Sequence, residues 1–227
     1  MIPLKDDNPT KTFPIITILI IAINIFVYFY MLTLDDDSAR NLVNLYGATP
    51  YELMHGFGFN KGVSLSIIFT VITSMFLHGG IFHLLSNMLY LWVFGNNIED
   101  SMGHFRFIVF YAICGSVAVF AHALINQGST LPMIGASGAI SGLLGGYLIL
   151  FPRARILTLL PLGFFIQVVK IPALFFLGFW IAFQIINSTL SIGKGGDGIA
   201  WFAHVGGFLA GLVLIVFFKK RNSKFSW

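Results

Sequence analysis

Apolar runs of about 20 residues recur along this chain, the length a helix needs to cross a hydrocarbon core of ~30 Å. Backbone polar groups find no water there, so each run must be a helix whose hydrogen bonds close within itself. Six spans are predicted, over residues 15–34, 81–98, 105–125, 136–151, 171–192 and 199–218. Residues 35–80 form a long first loop. Its apolar stretch 65–77 is short for a span and is expected to be interfacial or re-entrant, with a seventh span as the alternative. The expected fold class is an all-α polytopic membrane protein, a six-helix bundle with a short fourth helix. It is read as one domain over 1–227: a cytoplasmic segment 1–14, a core 15–218 and a basic tail 219–227. Composition agrees, because 10% charged residues is far below the level of about a quarter in soluble domains. The first run follows Lys11 and lacks a small-x-small cleavage site, so it reads as a span and not as a cleaved leader.

Lysine and arginine orient the bundle. With both termini in the cytoplasm, that side carries Lys5, Lys11, Arg106, Arg153, Arg155, Lys170, Lys219, Lys220, Arg221 and Lys224. The outside carries Arg40, Lys61 and Lys194. This asymmetry follows the positive-inside rule and predicts a multi-pass protein of a cell membrane, the prokaryotic plasma membrane first. The net charge of +4 is then mostly topology, with anionic lipid as an ordinary partner. No basic patch interleaved with stacking residues is present, so nucleic acid is not an expected partner. The single Cys114 lies in an apolar run and reads as a small packing residue.

The fourth span is the place to look for chemistry. It is short and broken by Gly138, Gly142, Gly145 and Gly146, and such spans point to sites inside membranes. Pro152, Arg153 and Arg155 pin its end at the cytoplasmic surface. Ser137 then lies ~21 Å above that surface at 1.5 Å per residue, roughly 9 Å below the outer face of a ~30 Å core. His204 stands as far from Phe218 as Ser137 does from Phe151, so both side chains reach one depth. Asn87 on the second span lies at a similar level, with His83 one turn above it on the same face. Polar groups at such depth are costly and mark function. Small-residue faces let the fourth and sixth helices approach closely, Gly138 and Gly142 on one and Ala203, Gly207 and Gly211 on the other. Histidine can then take the serine proton and return it to a leaving amine. No carboxylate is predicted at that depth, so a Ser-His dyad is expected and not a triad.

The stretch Gly135-Ala136-Ser137-Gly138 resembles the G-x-S-G nucleophile motif of the rhomboid family of intramembrane serine proteases. Ala203-His204-Val205-Gly206-Gly207, followed by Gly211, resembles its general-base helix, and His78, His83 and Asn87 its second-helix signature. The resemblance is strong over residues 67–219 and one of layout alone before that. It implies a serine endopeptidase that cleaves transmembrane segments of other membrane proteins. Ser137 would be the nucleophile and His204 the base. His83, Asn87 and the Ser137 N–H would form the oxyanion hole, and no cofactor or metal is implied. There are two departures. Many members carry Trp-Arg before the second helix, where this chain has Phe69 and Thr70. Some place a tyrosine four residues after the nucleophile to hold the imidazole, where this chain has Ser141. Another group must orient His204, and the sequence does not name it.

A serine at a helix start is commonly only an N-cap. His122 is unassigned, and His55 and His104 are expected in loops or at interfaces. His78 and His83 lie ~140° apart around a helix and lack the H-E-x-x-H glutamate, which argues against zinc. His78 is expected to brace the first loop. A transporter or a non-catalytic relative is the alternative function. Ion-coupled carriers need membrane carboxylates, which the predicted spans lack, and an inactive relative would be expected to have lost the serine or the histidine. The glycine-rich connection 193–198 is expected to cap the site. The fifth span, with Phe175, Phe176, Phe179 and Trp180, is expected to yield to substrate.

Overall fold

The computed structural model describes residues 1–56, 67–162, 165–191 and 200–220. Strand β1 (Ile2–Asp6) precedes helix α1 (Ile15–Leu32). In the long first loop lie α2 (Asp36–Tyr46), α3 (Pro50–His55) and α4 (Ile67–Thr73), the last continued by a 3-10 turn over Ser74–Phe76. Helices α5 (Ile81–Met102), α6 (His104–Ile125) and α7 (Ser137–Leu150) follow. Strands β2 (Arg155–Leu162) and β3 (Phe165–Pro172) come next, then α8 (Ala173–Leu190) and α9 (Trp201–Phe218).

Each predicted span coincides with a helix. By length and apolarity alone, α1, α6, α8 and α9 qualify as crossings, and the α4–α5 pair, bent by 87°, makes a fifth when taken as one broken span. Helix α7 is apolar but shorter, so the chain is a helical membrane bundle with four or five such crossings among the described residues, and the predicted six exceeds that criterion. The outer helices turn apolar side chains outward: Phe26 is 72% exposed, Phe105 78% and Phe217 76%. Such a surface is stable only against lipid. The stretch 67–76 forms a short element whose Ile68 and Phe69 are exposed while Val71 and Met75 are buried, as a re-entrant or interfacial piece requires. Residues 65 and 66 of the predicted stretch lie outside the described residues.

Helix α7 is apolar on every side and is accordingly buried on every side, from Ala139 through Tyr147. Its glycines permit this. A Cβ placed on Gly207 would overlap the carbonyl oxygen of Gly138, and one on Gly211 the carbonyl of Gly142. One on Gly145 would overlap the carbonyl of Phe208. Helices α7 and α9 thus touch backbone to backbone, as the small-residue faces predicted. Cys114 of α6 lies against Gly142, a packing role.

The sequence reading missed the three-stranded antiparallel sheet, ordered β1–β2–β3. The segment 155–172 is rich in β-branched residues, a strand composition hidden beside the stronger membrane signal. Ile171 and Pro172 consequently belong to β3 and not to the fifth span. The second span also runs on to Met102, so Glu99 is helical and fully buried, although the predicted span ended before it. Glu99 is satisfied: it accepts from the N–H groups of Ile16 (3.0 Å) and Thr17 (2.8 Å), from Thr17 Oγ1 (2.6 Å), and pairs with His104 Nδ1 (2.5 Å). A carboxylate at a helix N-terminus offsets the dipole and fills orphan donors, so Glu99 caps α1 from a neighbouring helix. His104 therefore starts α6 beside Glu99 and has a structural role. Nearby, Tyr147 Oη and Asn97 Nδ2 each donate to Asp6 Oδ2 at 2.6 Å. This ties β1 to the far end of α7.

Two outcomes test these contacts. Gly211→Ala would gain up to about 1 kcal/mol of helix propensity in a loosely packed helix. Overpacking should reverse the sign and cost about 1–3 kcal/mol, read as a lower midpoint of thermal unfolding in detergent. Burial holds the Asp6 carboxyl above the usual carboxylate range, although the Tyr147 hydroxyl acts in the opposite direction. Its raised value makes its contribution greatest at low pH, with loss as pH rises through the folded-state value. Asp6→Asn keeps an acceptor for Tyr147 and removes the ionisation. That variant should be at least as stable as the parent at neutral pH, with a flatter pH dependence of unfolding.

Candidate active site

Three helices bring the predicted polar residues together. Ser137 is the first residue of α7, so its N–H has no partner within the helix and sits at the positive end of the helix dipole. Ser137 Oγ lies 2.8 Å from His204 Nε2 of α9. The contact follows from the glycine seam below it, which fixes α9 against α7. Among the described residues no carboxylate bonds to the imidazole. Its other nitrogen, Nδ1, is 2.8 Å from Gln184 Oε1 of α8. The side chain that meets the imidazole on its other side is thus Gln184, which is 5% exposed. Trp180 and Trp201 flank the ring at 6.0 and 6.2 Å between centroids. Ser141, where a tyrosine was a possibility, donates instead to the Ser137 carbonyl at 2.6 Å.

Helix α5 supplies the remaining wall. Gly135 adopts φ +123°, a region that disfavours side chains, and its N–H donates to the carbonyl of Ser74 at 2.8 Å. A Cβ at Gly135 would lie 2.7 Å from His83 Nε2 and 3.8 Å from Asn87 Nδ2, so both side chains face the turn that delivers Ser137. Asn87 is buried, and its Nδ2 has no hydrogen-bond partner among the described residues. A buried amide donor without an acceptor is costly unless a ligand supplies one. His78 is 1% exposed, close to the backbone of Phe76, and edge-on to His83 at 5.0 Å. It brings the end of the first loop against His83, with neither ring nitrogen hydrogen-bonded among the described residues. A cavity of about 30 Å³ opens beside Ser137 and is lined in part by Ser74, Met133, Gly135 and Ala200, room enough for water.

Other predicted residues fall elsewhere. His122 abuts Phe202 with its Nδ1 unpaired among the described residues, and His55 stacks on Tyr51 at the surface. In the fifth predicted span Phe175 and Phe179 point outward, but Phe176 is buried against Tyr90 and Phe94 of α5. The helix expected to yield is thus held to α5 at Phe176 and to α9 by Trp180 against Phe208 and Phe183 against Trp201. The connection 193–198 lies outside the described residues. Among the described residues Thr70, in place of an arginine, donates to the Ile67 carbonyl at 2.7 Å.

The sequence model of the Rhomboid domain matches residues 66–221, the segment that carries Ser137, His204, Gln184, His83 and Asn87. This chain belongs to the rhomboid family. The chain is 31% identical to Rhomboid protein 1, mitochondrial, of Saccharomyces cerevisiae, over 68% of this chain and 43% of that one. It is 32% identical to Rhomboid protease GluP of Bacillus subtilis, over 88% of this chain and 35% of that one. It is 35% identical to RHOMBOID-like protein 1 of Arabidopsis thaliana, over 65% of this chain and 33% of that one. This rhomboid therefore spans less than half the length of these relatives. Its membership puts it among multi-pass membrane proteins of protease type, with Ser137 and His204 inside the matched domain.

The turn at Gly135 gives a direct check on this geometry. Gly135→Ala combines a disfavoured φ with contact against His83, and should cost about 1–3 kcal/mol of stability. A thermal midpoint in detergent equal to the parent's would mean that the turn and His83 relax freely.

Proposed function

We propose that this rhomboid is an intramembrane serine endopeptidase that cleaves transmembrane segments through an acyl-enzyme formed on Ser137. The observation that carries the reading is the 2.8 Å contact between Ser137 Oγ and His204 Nε2. His204 takes the serine proton as Oγ attacks the scissile carbonyl carbon. The oxyanion so formed is held by the Ser137 N–H, Asn87 Nδ2 and His83. Collapse breaks the C–N bond, and His204 returns the proton to the departing amine. Water then attacks the ester with His204 as base again, releasing the new carboxyl end and restoring Ser137. The unpaired Asn87 donor supports the oxyanion role, since a donor with no resting partner is pre-set for charge that develops during reaction.

Gly138, Gly207 and Gly211 support this chemistry by setting the distance between helices, and His78 by backing His83. The reading takes the chain as one membrane domain, with both termini cytoplasmic and the site open to the outer side of a prokaryotic plasma membrane. The charge asymmetry of the sequence supports that orientation. Substrates are membrane proteins that reach the site through lipid. Buried Glu99 does not favour an ion-coupled carrier, because its oxygens are committed to capping α1 and to His104.

Ser137→Ala and His204→Ala should each abolish cleavage of a model transmembrane substrate while leaving the bundle folded. A fluorophosphonate should label the parent at Ser137 and should not label His204→Ala. Turnover above a trace in Ser137→Ala would overturn the dyad. Asn87→Ala and His83→Ala should lower kcat by about 10²–10³-fold with little change in KM, and parental kcat in both would remove α5 from the mechanism.

A further inference from the structure

Helix α8 presents a stripe of Ala173, Phe176, Leu177, Gln184 and Ser188 to the bundle and is apolar over most of its remaining surface. A buried amide in such a helix is costly unless bonded. Its oxygen meets His204 Nδ1 at 2.8 Å, on the side of the ring opposite Ser137. An amide oxygen only accepts hydrogen bonds, so Nδ1 must carry the ring proton and Nε2 must present its lone pair to Ser137. A base at Nε2 requires that tautomer, and the bond made at the other nitrogen selects it.

We propose that Gln184 is the positioning residue of the dyad, fixing the tautomer and plane of His204 through Nδ1. The assignment rests on the dyad reading above. Gln184 does not touch the reacting atoms. It occupies the place that a carboxylate holds in a triad but carries no charge. The imidazolium formed during reaction therefore has a dipole beside it and not an anion. Among the described residues, the imidazoles of His83 and His122 are the titratable groups close enough to act on His204 electrostatically. Helix α8 thus holds the base while α7 and α9 set its distance from the nucleophile.

The ¹⁵N spectrum of histidine-labelled full-length protein reads the tautomer in the resting state. His204 should be protonated at Nδ1, and a spectrum with the proton on Nε2 would overturn the proposal without reference to any variant. Gln184→Leu should release the ring to a mixture of tautomers. It should lower kcat for a transmembrane substrate by about 10²-fold, the low end of what general-base catalysis supplies, with KM within about twofold. Gln184→Glu restores an acceptor at Nδ1 and should keep kcat within about tenfold of the parent. A folded Gln184→Leu protein with parental kcat, or a folded Gln184→Glu protein as slow as the leucine variant, would each overturn the role. Ser137→Ala separates the two readings. Cleavage by that variant would end the dyad, and the ¹⁵N spectrum would still report whether Gln184 sets the ring.

Discussion

The contact on which the rest of this rhomboid depends is the touching of two helix backbones, α7 and α9, at Gly138 with Gly207 and at Gly142 with Gly211. In lipid, helices gain little from burying apolar side chains against one another, because the tails are as apolar as the side chains. Association comes from close van der Waals contact, and that requires the absence of side chains at the crossing. The same contact fixes the approach of residues further up each helix. Ser137 lies one residue before Gly138, and His204 three before Gly207. Their 2.8 Å contact is thus a by-product of the glycine seam.

Burial of α7 on every side creates a second constraint, since its polar groups must find partners inside the protein. At the far end Tyr147 donates to Asp6, and Asp6 also accepts from Asn97. The N-terminal strand is therefore part of the support for α7, the helix that carries Ser137. At the near end the pattern reverses. The Ser137 N–H is an orphan of the helix start, and Asn87 Nδ2 is buried without a partner among the described residues. Glu99, by contrast, is satisfied several times over. The Asn87 amide shares its unpaired state with the buried His78 ring among the described residues, and what distinguishes it is its position facing the Gly135 turn.

Much of the site was legible because membrane depth converts sequence distance into height. Ser137, His204, His83 and Asn87 could be placed in one layer by counting residues from charged helix ends, with no knowledge of neighbours. Gln184 was not legible by that route. It is a lone amide in an apolar helix, and nothing in the spacing says which face of α8 turns inward. The available signal was its cost, since a polar side chain at mid-helix demands a partner, and His204 had a nitrogen to spare. The sheet and Glu99 were missed for a different reason. The segments 155–172 and 99–102 sit beside strong membrane signals, and charge there marks the end of a span without showing that the helix continues.

The sequence by itself determined the order of the apolar helices, the glycine faces and the shared level of the polar residues. These are one-dimensional properties: length against bilayer thickness, residue counts from helix ends, and small residues at helical spacing. Tertiary structure alone decided which residues meet across helices. It chose Gln184 for Nδ1 of His204, Asp6 for Tyr147, Glu99 for the start of α1, and Phe176 as the anchor of α8. Those pairings depend on helix rotation and crossing angle, which are set by packing against neighbours and leave no periodic mark on the chain.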